Sequence, residues 1–238
     1  MKKTRKELSI VIPTYNEKEN IFIIIQKLIS MFKENRIKGE IIIVDDNSQD
    51  GTGEIVENQR RKYKNVRIIH RKEKLGLSSA VLDGFKICRG EIFGAMDADL
   101  SHPAEKIPEM FSLIKKNEYD FVIGSRYVPG SGIRGWGLRR KLMSKVATML
   151  ARPLTRVKDP MSGFFLIKKE CIKNRKFDSK GFKILLEFLV KAKYKKLKEI
   201  PIIFTNRTKG KSKAGSSEIA HYLKNLGGYF KFKYLKLR

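Results

Sequence analysis

Short apolar runs rich in β-branched residues recur along the chain: LSIVIP at 8–13, EIIIVDD at 40–46, VRIIH at 66–70, EIFGAMDAD at 91–99, DFVIGSR at 120–126, GFFLIKK at 163–169 and IPIIF at 200–204. Between the first five, near 18–34, 52–62, 77–88 and 104–116, apolar residues return at helical spacing. This alternation predicts an α/β fold with a mostly parallel central sheet and helices on both faces. Helix-start chemistry agrees: Asp50, Gly51 and Thr52 can open a helix after the second run, and Ser101, His102 and Pro103 after the fourth. Ligands of such sheets bind beyond the C-terminal strand ends, which is where the polar residues of interest fall.

After Arg126 the pattern changes to a glycine-rich loop, VPGSGIRGWG, and a basic amphipathic segment near 138–152. The loop NRTKGKSKAGS follows, then a closing basic segment near 216–238 that mixes aromatics with lysines. No repeat or low-complexity linker divides the chain, so 1–238 reads as a single domain. Apolar faces at helical spacing are ordinarily core, and Leu142, Val146, Met149 and Leu150 are expected to pack inward. The flanking Arg139, Arg140, Lys141, Lys145 and Arg152 add the character of an interfacial helix.

A length of 238 residues, 41% hydrophobic and 32% charged, suits one folded core. Cys88 and Cys171 form no CxxC pair, so neither a disulfide framework nor a zinc site is expected. The first apolar run stops at Pro13, too short for a signal peptide, and no stretch approaches the roughly 20 apolar residues of a spanning helix. The expected location is cytoplasmic, peripheral on the cytoplasmic face of a membrane. With 52 Lys+Arg against 25 Asp+Glu, the net charge of +27 implies anionic partners: nucleic acid, lipid headgroups or phosphorylated small molecules.

Against that positive background, carboxylates gather at strand ends. The first run is followed by PTYNEKEN, without the glycines of a dinucleotide-binding turn, and no Walker A loop is present. Asp45 and Asp46 can accept hydrogen bonds from a base or ribose, whereas Asp50 and Thr52 read more simply as a turn and helix cap. Asp97 and Asp99, as residues of one strand, would point to the same face. Two carboxylates there repel unless a cation or proton is shared, and oxygen ligands favour Mg or Mn held together with substrate phosphates. Arg126 and Arg207, near Gly124 and Gly210, suit phosphate, while Lys209 and Lys211 read as solvated loop charges. His70, His102 and His221 form no Ser/His/Asp or HExxH arrangement, and His102 and His221 read as surface residues.

The series SIVIPTYNEKENI, IIIVDDNSQDGT, GAMDADLSHP, VIGSRY and NRTKGKSK, in that order over about residues 8–215, resembles the family-two inverting glycosyltransferases. Within them it is similar to the dolichol or polyprenol phosphate mannose synthases. The resemblance implies a GT-A, Rossmann-like fold and inverting transfer of mannose from GDP-mannose to dolichyl or polyprenyl phosphate. It implies that Pro13, Tyr15, Glu17, Val44 and Asp46 hold the guanosine, and that Asp97, Ala98 and Asp99 hold diphosphate and metal. Asp97 and Asp99 are then the ligands of Mg or Mn. Arg207 and Lys213 would grip the donor diphosphate, and Arg126, Arg140 and Ser144 the lipid phosphate. Asp97, Asp99 and Arg126 are thereby the expected catalytic residues. Two positions depart from the pattern: Ser101 replaces a Gln ligand, and Lys211 stands where Glu is common.

The missing base fits an acceptor that is already an anion, since a phosphate monoester has a second pKa of about 6. The expected partners are the membrane surface and a membrane-anchoring protein, with no nucleic acid. Two other readings stay open. One is transfer from a UDP-sugar to polyprenyl phosphate or to a sugar hydroxyl, the hydroxyl needing Asp159 or Glu187 as general base. The other is a non-catalytic protein that binds anionic membrane or nucleic acid.

Overall fold

The computed structural model describes residues 6–178, 183–206 and 216–235. Its strands are β1 Leu8–Thr14, β2 Gly39–Asp45, β3 Val66–His70, β4 Ile92–Ala95, β5 Phe121–Ser125, β6 Gly132–Arg134, β7 Phe165–Lys168, β8 Leu197–Pro201 and β9 Ile203–Thr205. Its helices are α1 Lys18–Glu34, α2 Thr52–Lys62, α3 Leu77–Ile87, α4 Ile107–Lys115, α5 Leu138–Ala151, α6 Lys169–Ile172, α7 Ile184–Lys191 and α8 Ser216–Tyr234. Seven strands form one sheet in the order β3-β2-β1-β4-β7-β5-β8, and β6 pairs with β9 in a separate ribbon. Every neighbouring pair in the large sheet is parallel except those made by β7, which runs antiparallel between β4 and β5.

Side chains alternate across a strand, and here both faces are covered. Leu8, Ile10 and Ile12 of β1 join Ile41 and Ile43 of β2 in a core closed by Ile24, Ile25 and Leu28 of α1. Val11, Ile42 and Val44 point the other way, into a core closed by Val81 and Phe85 of α3 and Phe188 of α7. Helices approach closely where glycine permits: a Cβ on Gly84 of α3 would collide with Val11. Cys88 and Cys171 are free thiols, and burial pushes them up to about 12 and about 11.

Three expectations are corrected. The run 91–99 is strand only over Ile92–Ala95, so Asp97 and Asp99 lie on the loop beyond it. The run 200–204 divides at Ile202, whose N–H donates to the Ser125 carbonyl while its own carbonyl accepts from Gly132 N–H. That residue passes the chain from β5 to the ribbon. On α5, Leu142, Val146, Met149 and Leu150 are exposed by 41–64% instead of packed. The helix turns its small residues inward, Ala147 and Ala151 meeting Tyr222 and Leu226 of α8, and Tyr222 Oη donates to the Ala147 carbonyl at 2.6 Å. Among the described residues no helix is long and apolar enough to cross a membrane.

Asp120, just before β5, ties β7 to the segment that leads into β8. It accepts from Lys168 Nζ at 2.8 Å and from the N–H groups of Lys195 and Lys196 at 2.9 and 3.1 Å. Burial alone would raise its pKa, but these donors outweigh it and hold the carboxyl below its ordinary value. A carboxyl lowered in the folded state contributes stability above its unfolded pKa and loses it as pH falls through the folded one. Asp120→Asn is therefore expected to lower the melting temperature at pH 7, and the gap to wild type should close as the pH drops below about 4, followed by circular dichroism.

Candidate active site

The strand order reverses at β1: successive strands go one way to β2 and β3, then return to its other side at β4. Doubly wound sheets place their ligand crevice at such a reversal, here beyond the C-terminal ends of β1 and β4. The loops after β1 and β2 form one wall and are stitched together by hydrogen bonds. Asn16 N–H donates to Ser48 Oγ at 2.8 Å, Glu17 N–H to Thr52 Oγ1 at 2.9 Å, and Lys18 N–H to Asp50 Oδ2 at 3.0 Å. Asp50 also accepts from Thr52 N–H at 3.0 Å, forming the turn that leads into α2, whose N-cap is Gly51. Burial would raise its pKa, yet the bonds from Thr52 and Lys18 prevail and lower it.

On this wall Pro13, Tyr15 and Glu17 are half-buried, and Lys74 Nζ sits 4.1 Å from the Tyr15 ring centroid. Val44 lies in the core, so only its main chain is available to a nucleoside. Asp45 turns to Ser48, accepting its N–H at 3.2 Å. Asp46 accepts from Leu75 N–H at 2.9 Å, Gly76 N–H at 2.8 Å and Arg71 Nη1 at 3.0 Å, which fixes the loop leading into α3.

The loop after β4 forms the floor. Strand alternation does not govern Asp97 and Asp99, because the backbone leaves the sheet before them and reaches the left-handed region at Leu100, φ 61°. Asp99 is 6% exposed and accepts Ser101 N–H at 3.1 Å; Ala98 is buried in the core. The Asp97 carboxylate lies over Gly163, where a Cβ would come within 3.0 Å of Oδ1. His102, read from the sequence as a surface residue, is 4% exposed and stacked on Phe164. Among the described residues no three His, Cys, Asp or Glu side chains converge as a metal site. A divalent ion here would take oxygens from Asp97 and Asp99 and complete its shell from a bound phosphate, a donor set that suits Mg or Mn. The glycine cradle under Asp97 fits that role.

The far wall is cationic. Arg126 follows β5, is 8% exposed, and meets the fully buried Asp159 through Nε and Nη2, both at 2.7 Å, and through its backbone N–H at 2.9 Å. Burial would lower the guanidinium pKa, but Asp159 more than compensates and raises it. Nearby Gly124 does not open a path for a ligand; a Cβ there would strike the Phe164 ring. Arg140 lies 4.1 Å from the Trp136 ring centroid and donates to Asn206 Oδ1 at 2.9 Å. Tyr127 Oη donates to Ser144 Oγ at 2.8 Å, leaving Ser144 its own proton to give. Arg207 and Lys213, with Lys209 and Lys211, lie outside the described residues.

Three neighbours escaped the sequence reading: Trp136, Asn206 and Lys183. Trp136 was visible as the single tryptophan of a glycine-rich loop, but nothing in the pattern put it between Arg126 and Arg140. Lys183, just before α7, is pushed down to about 8 by burial and by Arg126, against the pull of Asp159 and Asp97. The two candidate bases are both engaged. Asp159 is paired with Arg126, and Glu187, without exposure, accepts from Lys191 Nζ at 2.6 Å and Asp178 N–H at 2.9 Å. Burial pushes Glu187 upward despite Lys191.

Comparison with known proteins adds to this geometry. The family model described as Glycosyl transferase family 2 matches residues 9–182. The chain is 44% identical over 227 residues to a dolichol-phosphate mannosyltransferase of Pyrococcus furiosus, covering 92% of this chain and 62% of that protein's length. It is 42% identical over 238 residues to the dolichol-phosphate mannosyltransferase of Saccharomyces cerevisiae, covering 96% of this chain and 88% of that protein. The counterpart in Mycosarcoma maydis is 39% identical over 235 residues, with 95% and 80% covered. Among solved structures, glucosyl-3-phosphoglycerate synthase from Mycobacterium tuberculosis, in complex with Mn2+, UDP and glucosyl-3-phosphoglycerate, superposes with a TM-score of 0.66. The match covers 96% of this chain and 80% of that one at 17% identity, a likeness of fold.

Removing one partner of a buried ion pair strands the other charge, at about 3–5 kcal/mol. Asp159→Ala should therefore lower the urea midpoint by a stability loss of that order, and adding Arg126→Met should restore part of it.

Proposed function

The chain belongs to glycosyl transferase family 2, and from that premise we propose that it moves mannose from GDP-mannose to a dolichyl or other polyprenyl phosphate, with inversion at the anomeric carbon. The names of the three relatives support this reading. The observation that carries it is the packing that joins the two banks of charge: His102, which accepts the Asp97 N–H, and Arg126 both lie against the Phe204 ring. A reaction between two anions needs both signs of charge: carboxylates to hold a cation on the donor, and guanidinium groups to hold the acceptor.

In this reading Pro13, Tyr15, Glu17, the Val44 main chain and Asp46 receive the guanosine. Asp97 and Asp99 would hold Mg or Mn together with the donor phosphates, and the ion would supply positive charge against the departing diphosphate. The Mn2+ in the structurally similar synthase supports use of a divalent ion. Arg207 and Lys213 hold the diphosphate in this reading. Arg126, Arg140 and Ser144 hold the acceptor phosphate. One of its oxygens forms the bond to the anomeric carbon as the bond from that carbon to the diphosphate oxygen breaks, and GDP leaves with the electron pair. No proton has to be removed from the acceptor. The engagement of Asp159 and Glu187 in ion pairs speaks for such an acceptor over a sugar hydroxyl.

The same helix that carries Arg140 and Ser144 exposes Leu138, Leu142 and Met149 by 86%, 64% and 64%. Leu235, at the end of α8, is exposed by 64%. Lipid phosphate at the crevice would thus have its chain beside an apolar row flanked by Lys141 and Lys145, each basic residue adding about 1 kcal/mol of attraction to an anionic leaflet. Peripheral attachment to the cytoplasmic face of a membrane, with or without an anchoring protein, follows.

Three measurements check this. In a panel of sugar nucleotides with Mn, GDP-mannose should give the largest rise in melting temperature, since ligand at about 100 times its Kd adds about 2.7 kcal/mol. Asp99→Ala should lower mannosyl transfer on the order of 100-fold or more at saturating metal; full activity in that variant, or a UDP-sugar outranking GDP-mannose, would refute the assignment. Sedimentation with phosphatidylserine vesicles should weaken in Leu142→Glu/Met149→Glu and in high salt. Unchanged pelleting of that variant would remove α5 from the contact.

A further inference from the structure

His102 takes no part in the chemistry above, yet it is 4% exposed and held on three sides. Its ring stacks on Phe164 with centroids 5.3 Å apart and planes at 16°, and meets the edge of Phe204, also at 5.3 Å. The third contact is the informative one: Asp97 N–H donates to His102 Nδ1 at 3.1 Å. A backbone N–H can only donate, so Nδ1 presents its lone pair and the ring proton resides on Nε2. The nearest Asp97 carboxylate oxygen, Oδ2, stands 3.8 Å from Nδ1, too far for a hydrogen bond. The contact therefore fixes the Asp97 backbone and leaves its carboxylate to other partners.

Asp97 is bounded on the opposite side as well. A Cβ on Gly163 would approach Asp97 Oδ1 to 3.0 Å and His102 Cε1 to 3.2 Å, so ring, carboxylate and glycine are packed against one another. The strand has ended at Ala95, so Asp97 lies on the loop beyond it. We infer that His102 is a positioning residue: through Nδ1 and the Asp97 N–H it sets the orientation in which Asp97 presents its carboxylate to a divalent cation. This rests on the reading of Asp97 as a metal ligand. Groups that orient a ligand in this way typically govern about 10–100-fold in metal affinity.

Replacement chemistry separates this from a packing role. Asn places an amide oxygen where Nδ1 stands, Gln extends it to the place of Nε2, and Phe keeps the stack but offers no acceptor. Mn2+ uptake in the presence of GDP is read by loss of the free-ion electron paramagnetic resonance signal, and GDP binding in EDTA is measured in parallel. His102→Asn is expected to stay within about threefold of wild type. His102→Gln and His102→Phe should bind Mn2+ at least about 10-fold more weakly, with metal-free GDP binding unchanged. Equal Mn2+ affinity in Asn and Gln, or wild-type affinity in Phe, overturns the inference while leaving Asp97 as ligand. If Phe does not fold, the Asn and Gln pair decides alone. If wild type itself takes up no Mn2+ with GDP, the cation reading of the site fails and the inference with it.

Discussion

Arg126 keeps its charge at the side of the crevice because Asp159, itself fully buried, engages two guanidinium nitrogens and the backbone N–H together. A cation desolvated to this degree without a partner would cost several kcal/mol. With the partner in place it becomes a fixed point for its surroundings. Trp136 and Phe204 gather around the guanidinium at 5.3 and 5.5 Å, and Arg140 covers the other part of Trp136. The ribbon of β6 and β9, which supplies Phe204, is thereby held against the end of β5, and α5 is brought to the site with it.

The same aromatic layer links the two banks of charge. Phe204 touches Arg126 on one side and His102 on the other, and His102 accepts the Asp97 N–H. Cationic and anionic walls are thus registered through packed rings. The carboxylates that a chain of net charge +27 carries here are each enclosed: Asp99 accepts the Ser101 N–H, Asp97 lies over Gly163 beside the His102 ring, and Asp46 accepts from the Leu75 and Gly76 N–H groups.

Exposure of the bulky residues of α5 follows from the same arrangement. The helix uses alanines to seat α8, and the larger side chains have no sheet beneath them. Arg140 and Ser144 share that helix, so the residues proposed to hold the acceptor phosphate and the apolar row lie on one element. An acceptor with an anionic head and a hydrocarbon chain matches both.

The positions of β1 to β5 and α1 to α4 were legible in the sequence because hydrophobic period and turn chemistry are local properties: the turn at Asp50 leads into α2 where its spacing to Thr52 puts it. The gathering of polar residues toward C-terminal strand ends was legible for the same reason, whereas the end of β4 at Ala95, before Asp97 and Asp99, was not. Which residues face each other there was not. The antiparallel insertion of β7, the pairing of Gly132–Arg134 with Ile203–Thr205, the burial of His102, and the arrival of Lys183 beside Arg126 all rest on contacts between distant segments. Periodicity likewise marks Leu142 and Met149 as one apolar face without saying whether anything lies against it. Local spacing determines which element a residue belongs to; only the packing of those elements decides what its side chain meets, because burial and charge pairing are properties of the space between segments.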